Sequence, residues 1–196
     1  MRIPSLWPII QENFRTVLRN KTLILLFLST AGFSWSTELI LHISPLYIRS
    51  LGATIFETGL VFSLAGIVAT ALSIPGGILS DKFGRKILIL ISMILAIISP
   101  YTFTLIDTWT LMIPLMIIFR LTFSFNLPAR MAIITDHTTG VNRSGVMSIM
   151  NLVFPIGVAL GLSIGGYFAD SLGWTVTFYI VAAVSAVSTI PAIFLK

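Results

Sequence analysis

Six long runs of apolar residues, separated by short polar segments, organise the chain. The runs are too long for the strands of a membrane barrel and lack their period-two alternation. Each is near the roughly 20 residues that a helix needs to cross a bilayer, and helices satisfy every backbone group without water. The pattern predicts an all-α polytopic membrane protein with six transmembrane helices, termed spans one to six. Their predicted bounds are 22–48, 55–79, 87–106, 109–134, 145–169 and 174–195.

The segment before span one mixes apolar, polar and basic positions. Its apolar members are Leu6, Trp7, Ile10, Phe14, Val17 and Leu18. Both an amphipathic helix in the membrane interface and a frayed tail fit this pattern. The first apolar run is longer than a signal-peptide core and no small-residue cleavage site follows it, so we expect no cleavable signal. Two regions are therefore predicted, a cytoplasmic N-terminal segment over 1–21 and a six-span domain over 22–196.

Composition supports lipid as the solvent. Hydrophobic residues make up 56% of the chain and charged residues only 10%, whereas a soluble domain carries about 25% charged residues. Mean hydropathy is +1.01. So few charges cannot cover a water-facing surface, and six spans leave no room for a soluble catalytic domain. The sequence contains no cysteine, which excludes disulfides and thiolate metal sites.

The placement of Lys and Arg predicts the orientation. With a cytoplasmic N-terminus, Arg49 alone falls on the outer side and Arg120 lies within span four. All other basic residues fall on the cytoplasmic side: Arg2, Arg15, Arg19, Lys21, Lys82, Arg85, Lys86, Arg130, Arg143 and Lys196. This bias follows the positive-inside rule. It predicts a cell-membrane protein with both termini cytoplasmic, and it explains the net charge of +5 without a nucleic-acid partner.

The short turn between spans two and three carries the most informative motif. It reads Gly-x-x-x-Asp-Lys-x-Gly-Arg-Lys, and its members are Gly77, Asp81, Lys82, Gly84, Arg85 and Lys86. Gly84 allows the positive φ of a tight turn, and Asp81 is an acid among three bases. In residues, spacing and position, this turn resembles the signature loop of the major facilitator superfamily. The alternative is a loop that only sets the topology, with its acid neutralised.

The resemblance extends over most of the chain. Arg120 resembles the arginine motif of the family's span four, although Asn126 and Pro128 depart from its usual glycine pattern. Asp136 and Arg143 resemble the second cytoplasmic turn. Family members have about twelve spans in two pseudo-symmetric halves. The resemblance therefore implies a major-facilitator-like half bundle that corresponds to the N-terminal half.

The resemblance also implies a conformational latch. In the family, the acid and the base of the signature loop contact the end of span four and a helix of the second half, and this contact holds the outward-facing state. Asp81, Arg85 and Asp136 would carry the latch here, with the other residues of the signature loop shaping the turn.

Small residues form stripes on two spans. On span two they stay within about 40° of one line, and they are Gly59, Ser63, Gly66, Thr70, Ser73 and Gly77. On span five, Gly157, Gly161 and Gly165 form a run of the small-xxx-small type that brings helices close together. The stripes pack either within the six-helix unit or at the interface between halves. We favour the interface, because the resemblance places spans two and five there.

Two full charges lie deep in the spans, Glu38 in span one and Arg120 in span four. A charge at the bilayer centre costs at least about 2.5–3.5 kcal/mol on insertion scales, so each must be paired or face water. Both are candidates for substrate binding or proton coupling; the alternative is a structural ion pair. Trp35 and His42 share one helical face with Glu38, at i, i+3 and i+7, and are weaker candidates.

Four further residues interrupt the apolar spans. Asn126 and Asn151 bind either the substrate or a neighbouring helix. Pro128 and Pro155 are expected to kink their helices, since proline lacks the backbone N–H.

Three functions are compatible with these features. The first is a secondary active transporter, or its N-terminal half, that moves a small hydrophobic or amphipathic solute by alternating access with proton coupling, efflux included. The second is a membrane enzyme, but no H-E-x-x-H motif or nucleotide-binding P-loop is present, so no enzyme, cofactor or metal is expected. The third is a non-transporting membrane subunit or a truncated remnant of a transporter. Expected partners are the lipid bilayer, a small-molecule solute, and either a second six-helix half or a second copy of the chain.

Overall fold

Helices account for every regular element of the structure. The computed structural model describes the backbone of residues 6–195, and their side chains except at positions 6, 7, 9, 10, 77, 80, 81 and 141. The α-helices are α1 Leu6–Arg19, α2 Lys21–Ser50, α3 Ile55–Phe83, α4 Arg85–Phe103, α5 Met112–Asp136, α6 Gly140–Asn151, α7 Val153–Leu172 and α8 Trp174–Ile193. A 3-10 turn, Trp109–Leu111, leads into α5. The all-α prediction is confirmed.

Six helical stretches are long and apolar enough to cross a membrane. They are Lys21–Ser50, Ile55–Gly76, Arg85–Phe103, Trp109–Asp136, Asn142–Leu172 and Trp174–Ile193. They agree with the predicted spans in number and order, and most bounds differ by only a few residues. The chain is therefore an integral membrane protein.

The segment before span one is a helix packed on the bundle. Asn20 separates α1 from α2, because its side-chain Oδ1 accepts hydrogen bonds from the backbone N–H of Thr22 at 3.0 Å and of Leu23 at 3.4 Å. Val17 is buried in the apolar core, and Asn13 lies directly over Gly145 of α6. Leu6–Arg19 is thus a helix that contacts the bundle, and its place at the membrane interface stays a prediction.

Span five runs as one stretch through α6 and α7, because Leu152 between them keeps helical dihedral angles. One interruption of the helical pattern lies at Leu152. Pro155 explains its place, because proline has no N–H to bond the carbonyl four residues earlier, at Asn151. Pro128 has no such effect, since α5 continues through it.

α2 lies at the centre of the bundle, and α3 lies at its edge. α2 packs along α7 and α8, α4 packs along α5 and α8, and α3 packs mainly along α5. At one end, the hydroxyl of Tyr47 donates a hydrogen bond to the carbonyl of Phe103 at 2.7 Å. The same tyrosine ring packs edge-on against Phe178, with the centroids 4.9 Å apart. These contacts tie α2, α4 and α8 together.

The glycine stripe of α7 faces inward, which corrects the favoured interpretation of span five. Gly157, Gly161 and Gly165 are all buried. A Cβ atom at Gly161 would lie 3.2 Å from the Cα and backbone N of Leu39, on α2. The stripe therefore brings α7 against α2 within the six-helix unit and is not free to meet a second half.

The small-residue face of α3, in contrast, is exposed. Gly59 is exposed, and a Cβ atom built there or at Gly66 meets no described atom within 4 Å. Ser63, Thr70 and Ser73 on the same face are exposed as well. This face is therefore unoccupied by the described part of the chain.

Candidate functional site

A cavity of about 370 Å³ lies between α2, α5, α6 and α7. Three phenyl rings and two aliphatic side chains form most of its wall, with four polar side chains among them. The lining residues are Phe33, Glu38, Phe123, Asn126, Leu127, Arg130, Met131, Asn151 and Phe154. We refer to this space as the α2/α5 cavity. Its volume and its mixture of apolar wall and few polar groups are typical of small-molecule sites.

Glu38 brings a carboxylate to this cavity. Its side chain is 13% exposed, and its Oε2 lies 3.5 Å from Nε2 of His42, one helical turn further along α2. His42 and Trp35 are partly buried beside the cavity and do not belong to its lining. The structure thus places Glu38 in the cavity and His42 against it, as the shared helical face predicts.

Arg120 lines a different space, on the other side of α5. This second cavity, of about 280 Å³, lies between α3 and α5. Coulombic attraction links Glu38 to Arg120 as well as to His42, but the two side chains form no ion pair in the described part of the chain. Phe123 and Leu127 line both spaces. Glu38 and Arg120 therefore face each other across a shared apolar partition.

The two asparagines are held in different ways. Asn126 is buried, and its Nδ2 donates a hydrogen bond to Oγ of Ser92 on α4 at 3.0 Å. Asn151 is exposed and sits at the end of α6, where its Oδ1 accepts a hydrogen bond from Nη2 of Arg130 at 3.4 Å. Each amide bonds a neighbouring helix and also lines the cavity.

Arg130 is a site residue that the sequence analysis missed. The sequence analysis counted it only among the basic residues of the cytoplasmic side, which stays a prediction, whereas the side chain is only 1% exposed and turns into the bundle. Its guanidinium lies over the ring of Phe154, 4.5 Å from the centroid. The available signal was its spacing of four residues from Asn126, which puts both on one face of α5. A rule that counts basic residues near span ends carries no information on the direction of the side chain.

The signature loop brings two of the predicted latch residues together. Arg85, at the start of α4, forms an ion pair with Asp136, at the end of α5. Arg85 Nη1 also donates a hydrogen bond to the carbonyl of Ala132 at 3.3 Å. Gly84 has φ +93°, as a tight turn between α3 and α4 requires. The side chain of Asp81 and the exposure of Gly77 lie outside what the structure describes. Lys82 is exposed and Lys86 is partly buried. The latch role itself stays a prediction.

We expect Asp136→Asn to weaken this latch and favour the inward-open state. The ion pair is partly exposed, with side chains 34% and 51% accessible. Such pairs contribute up to about 1 kcal/mol, so the balance between the two states should move by about two- to fivefold. Because the chain has no native cysteine, a single cysteine at Leu127 in the cavity wall reports opening through its rate of maleimide labelling from the cytoplasmic side.

The control for this latch experiment is Asp170→Asn, which removes an exposed acid at the end of α7. The swapped pair Arg85→Asp with Asp136→Arg should return the labelling rate toward that of the parent protein. An unchanged rate in Asp136→Asn, or no recovery in the swap, would contradict a latch at this ion pair.

The fold and the site define a class, a polytopic membrane protein with a solute-sized cavity inside its helical bundle. Residues 22–196 match the model of the Major Facilitator Superfamily. Since this match covers most of the chain, the protein belongs to the Major Facilitator Superfamily, and the resemblance carried by the signature loop is confirmed.

Two relatives illustrate the similarity. The chain is 24% identical over 176 residues to the quinolone resistance protein NorA of Staphylococcus aureus, an alignment that covers 90% of this chain and 45% of that protein. It is 26% identical over 159 residues to the uncharacterized MFS-type transporter MJ1560 of Methanocaldococcus jannaschii, covering 81% and 41% of the two chains. The chain therefore spans less than half the length of these curated relatives.

Proposed function

We propose that the chain acts as the N-terminal half of a secondary active transporter. It moves a small hydrophobic or amphipathic solute across the cell membrane by alternating access, with proton coupling. The observation that carries this proposal is the α2/α5 cavity, where an acid, a guanidinium and two amides interrupt an aromatic wall. That the Staphylococcus relative is named for quinolone resistance supports an organic solute moved out of the cell.

Glu38 is the proposed proton carrier. A carboxylate within a span is costly unless it is paired, neutralised or facing water. In this cavity it has His42 at 3.5 Å, electrostatic attraction to Arg120 and limited solvent contact. A proton and the positive charge of Arg120 therefore compete for the same carboxylate, which is the arrangement that coupling requires.

The second half is the proposed partner of the exposed α3 face. Small residues allow close helix contact in lipid, where apolar surface alone drives no association. The free stripe on α3 offers such a surface, and the relatives are about twice as long as the aligned region. We propose that the latch and both termini lie on the cytoplasmic side, in keeping with the charge bias.

The test is solute movement in liposomes that contain the purified chain. Three fluorescent aromatic solutes cover the charge types: ethidium (cationic), 1-naphthylacetate (anionic) and 1-naphthylacetamide (neutral). We expect flux of at least one solute to follow an imposed pH gradient and to collapse on addition of a protonophore. Light scattering of the detergent-purified chain, corrected for detergent, is measured alongside. A mass near twice 21.5 kDa would identify the partner as a second copy of the chain.

The alternative function makes a different prediction in the same liposomes. A non-transporting subunit or remnant gives no gradient-dependent flux of any solute, whatever its mass in detergent. That result would overturn active transport by this chain alone. With a mass near two chains it would favour the alternative, whereas with a mass near one chain the second half must be supplied, and transport restored by it would support the proposal.

A further inference from the structure

The guanidinium of Arg130 is a buried charge that the proposed proton coupling does not use. Its side chain is 1% exposed, yet it forms no ion pair with an acid among the described residues. Its Nε and Nη1 atoms find no hydrogen-bond acceptor there either. The one hydrogen bond of this guanidinium to a described residue joins Nη2 to Oδ1 of Asn151 at 3.4 Å. The group therefore keeps its charge and most of its donors unsatisfied inside the bundle.

An unpaired guanidinium in this position is energetically demanding. Burial of a charge without a partner costs free energy that a nearby anion recovers. Removal of such groups from water also leaves N–H donors that need acceptors. The structure provides a neutral amide oxygen and an aromatic face, and neither cancels the charge.

The surroundings of Arg130 determine which anion fits. Phe154 covers one face of the guanidinium at 4.5 Å, whereas Nε and Nη1 at its edge have no acceptor among the described residues. The planar fork of N–H donors at that edge matches a carboxylate in a two-point contact. The rings of Phe33 and Phe123 continue the cavity wall and suit an apolar or aromatic body attached to the carboxylate.

Glu38 is the internal acid that could compete for Arg130. It lines the same cavity, but its Oε2 lies against His42 at 3.5 Å and its charge is attracted to Arg120. Among the described residues Glu38 forms no ion pair with Arg130, which leaves Arg130 for an incoming anion.

We propose that Arg130 binds the anionic group, of the carboxylate class, of the transported solute, with the aromatic body of the solute against the phenyl rings of the α2/α5 cavity. This inference rests on the proposed transport function and specifies its solute. It places recognition of the anion on α5, at a residue separate from the proton-carrying Glu38.

The test compares two probes that differ in charge and little else. Binding of 1-naphthylacetate and of its neutral amide is measured by equilibrium dialysis on the full chain in phosphatidylcholine nanodiscs, with empty nanodiscs subtracted. The unmodified protein should bind the carboxylate at least about tenfold more tightly, which corresponds to one charge-assisted contact. Arg130→Gln should abolish this preference and leave binding of the amide unchanged. Arg130→Lys, which keeps the charge but loses the fork, should retain part of it.

The matched control is Arg49→Gln, the same chemical change at an exposed arginine near the end of α2. It should keep the full preference for the carboxylate. Size-exclusion profiles establish that each variant is folded, and the preference of the unmodified protein needs no variant at all. Equal binding of the two probes by that protein, or a preference that survives Arg130→Gln, would overturn the proposal.

A second arm separates a solute from a lipid headgroup as the source of the anion. If phosphatidylglycerol in the nanodisc displaces naphthylacetate in an Arg130-dependent way, the site belongs to lipid headgroups and the solute assignment fails. The flux experiment tests transport independently of this binding experiment. Gradient-driven movement of ethidium or the amide without an anion preference refutes only the role of Arg130, whereas an anion preference without flux refutes active transport.

Discussion

Replacing Glu38 by glutamine should reduce pH-driven solute flux to the level of protein-free liposomes. Glutamine has nearly the same shape and keeps hydrogen-bonding capacity toward His42, but it can neither take up nor release a proton. An imposed pH gradient then has no group in the cavity through which to act. Solute exchange at equal pH on both sides, which needs no net proton movement, should persist. The measurement is flux of the best solute of the three-probe panel, with and without a gradient.

The control for Glu38→Gln is Glu12→Gln, the same change at an exposed acid on α1. It should leave both modes of transport as in the parent protein. Gradient-driven flux that survives in Glu38→Gln would place the coupling proton elsewhere. Loss of exchange together with an aggregated size-exclusion profile would assign Glu38 a structural role instead.

Replacing Gly161 by valine should destabilise the bundle strongly. Its Cβ atom would lie 3.2 Å from both the Cα and the backbone N of Leu39. Backbone atoms of a packed helix cannot rotate away as a side chain does, so α7 must move off α2. Overpacking of this kind costs about 1–3 kcal/mol and occasionally more. The measurement is the apparent Tm of the purified chain in detergent, with monodispersity checked by size exclusion.

The matched control is Gly59→Val, the same change at an exposed helical glycine of α3 with no described atom near its Cβ position. Its effect should stay within about 0.5 kcal/mol, as is usual for surface substitutions. Equal Tm values for the two variants would mean that α7 does not rest on α2 as described. A lower Tm for Gly59→Val alone would show that the α3 face is already occupied in detergent.

These two outcomes bear on the assembly as well as on stability. The glycine stripe of span five is buried in the contact between α2 and α7. The small-residue face of α3 is therefore the one available to a second half. A second half that docks on α3 would cover the side of the bundle next to Arg120, because the second cavity opens between α3 and α5. Phe123 and Leu127 would then separate the proton-carrying Glu38 from the cavity that the partner closes.

The number, order and helical nature of the spans followed from the sequence because they depend on one physical quantity. Transfer of apolar side chains into lipid is favourable along the whole length of a span, and hydrocarbon leaves the backbone no alternative to helix. The turn at Gly84 could also be predicted from the sequence, because a backbone with positive φ favours glycine whatever the rest of the fold. The pairing of Arg85 with Asp136 followed from the family resemblance, which encodes contacts that composition does not.

Hydropathy does not predict the direction in which a side chain points around its helix. Gly161 contacts α2 and not a second half, because α2 lies at the centre of the bundle. The spacing of small residues in the sequence does not show which helix they contact. The helical pattern of span five is interrupted at Leu152, near Pro155, whereas α5 continues through Pro128. The effect of a proline depends on which groups bond the carbonyl that it leaves without a partner.

Arg130 shows the same limit at the candidate site. A long basic side chain near the end of a span can extend toward the headgroups or turn into the bundle, and both leave the same pattern in the sequence. Only the arrangement of the helices turned this guanidinium inward, over Phe154 of α7 and beside Asn151 of α6. The sequence determined which residues enter the membrane, because hydropathy sets the depth of each residue along its helix. The tertiary structure decided which of their charges line the cavity, because the neighbouring helices set the direction of each side chain.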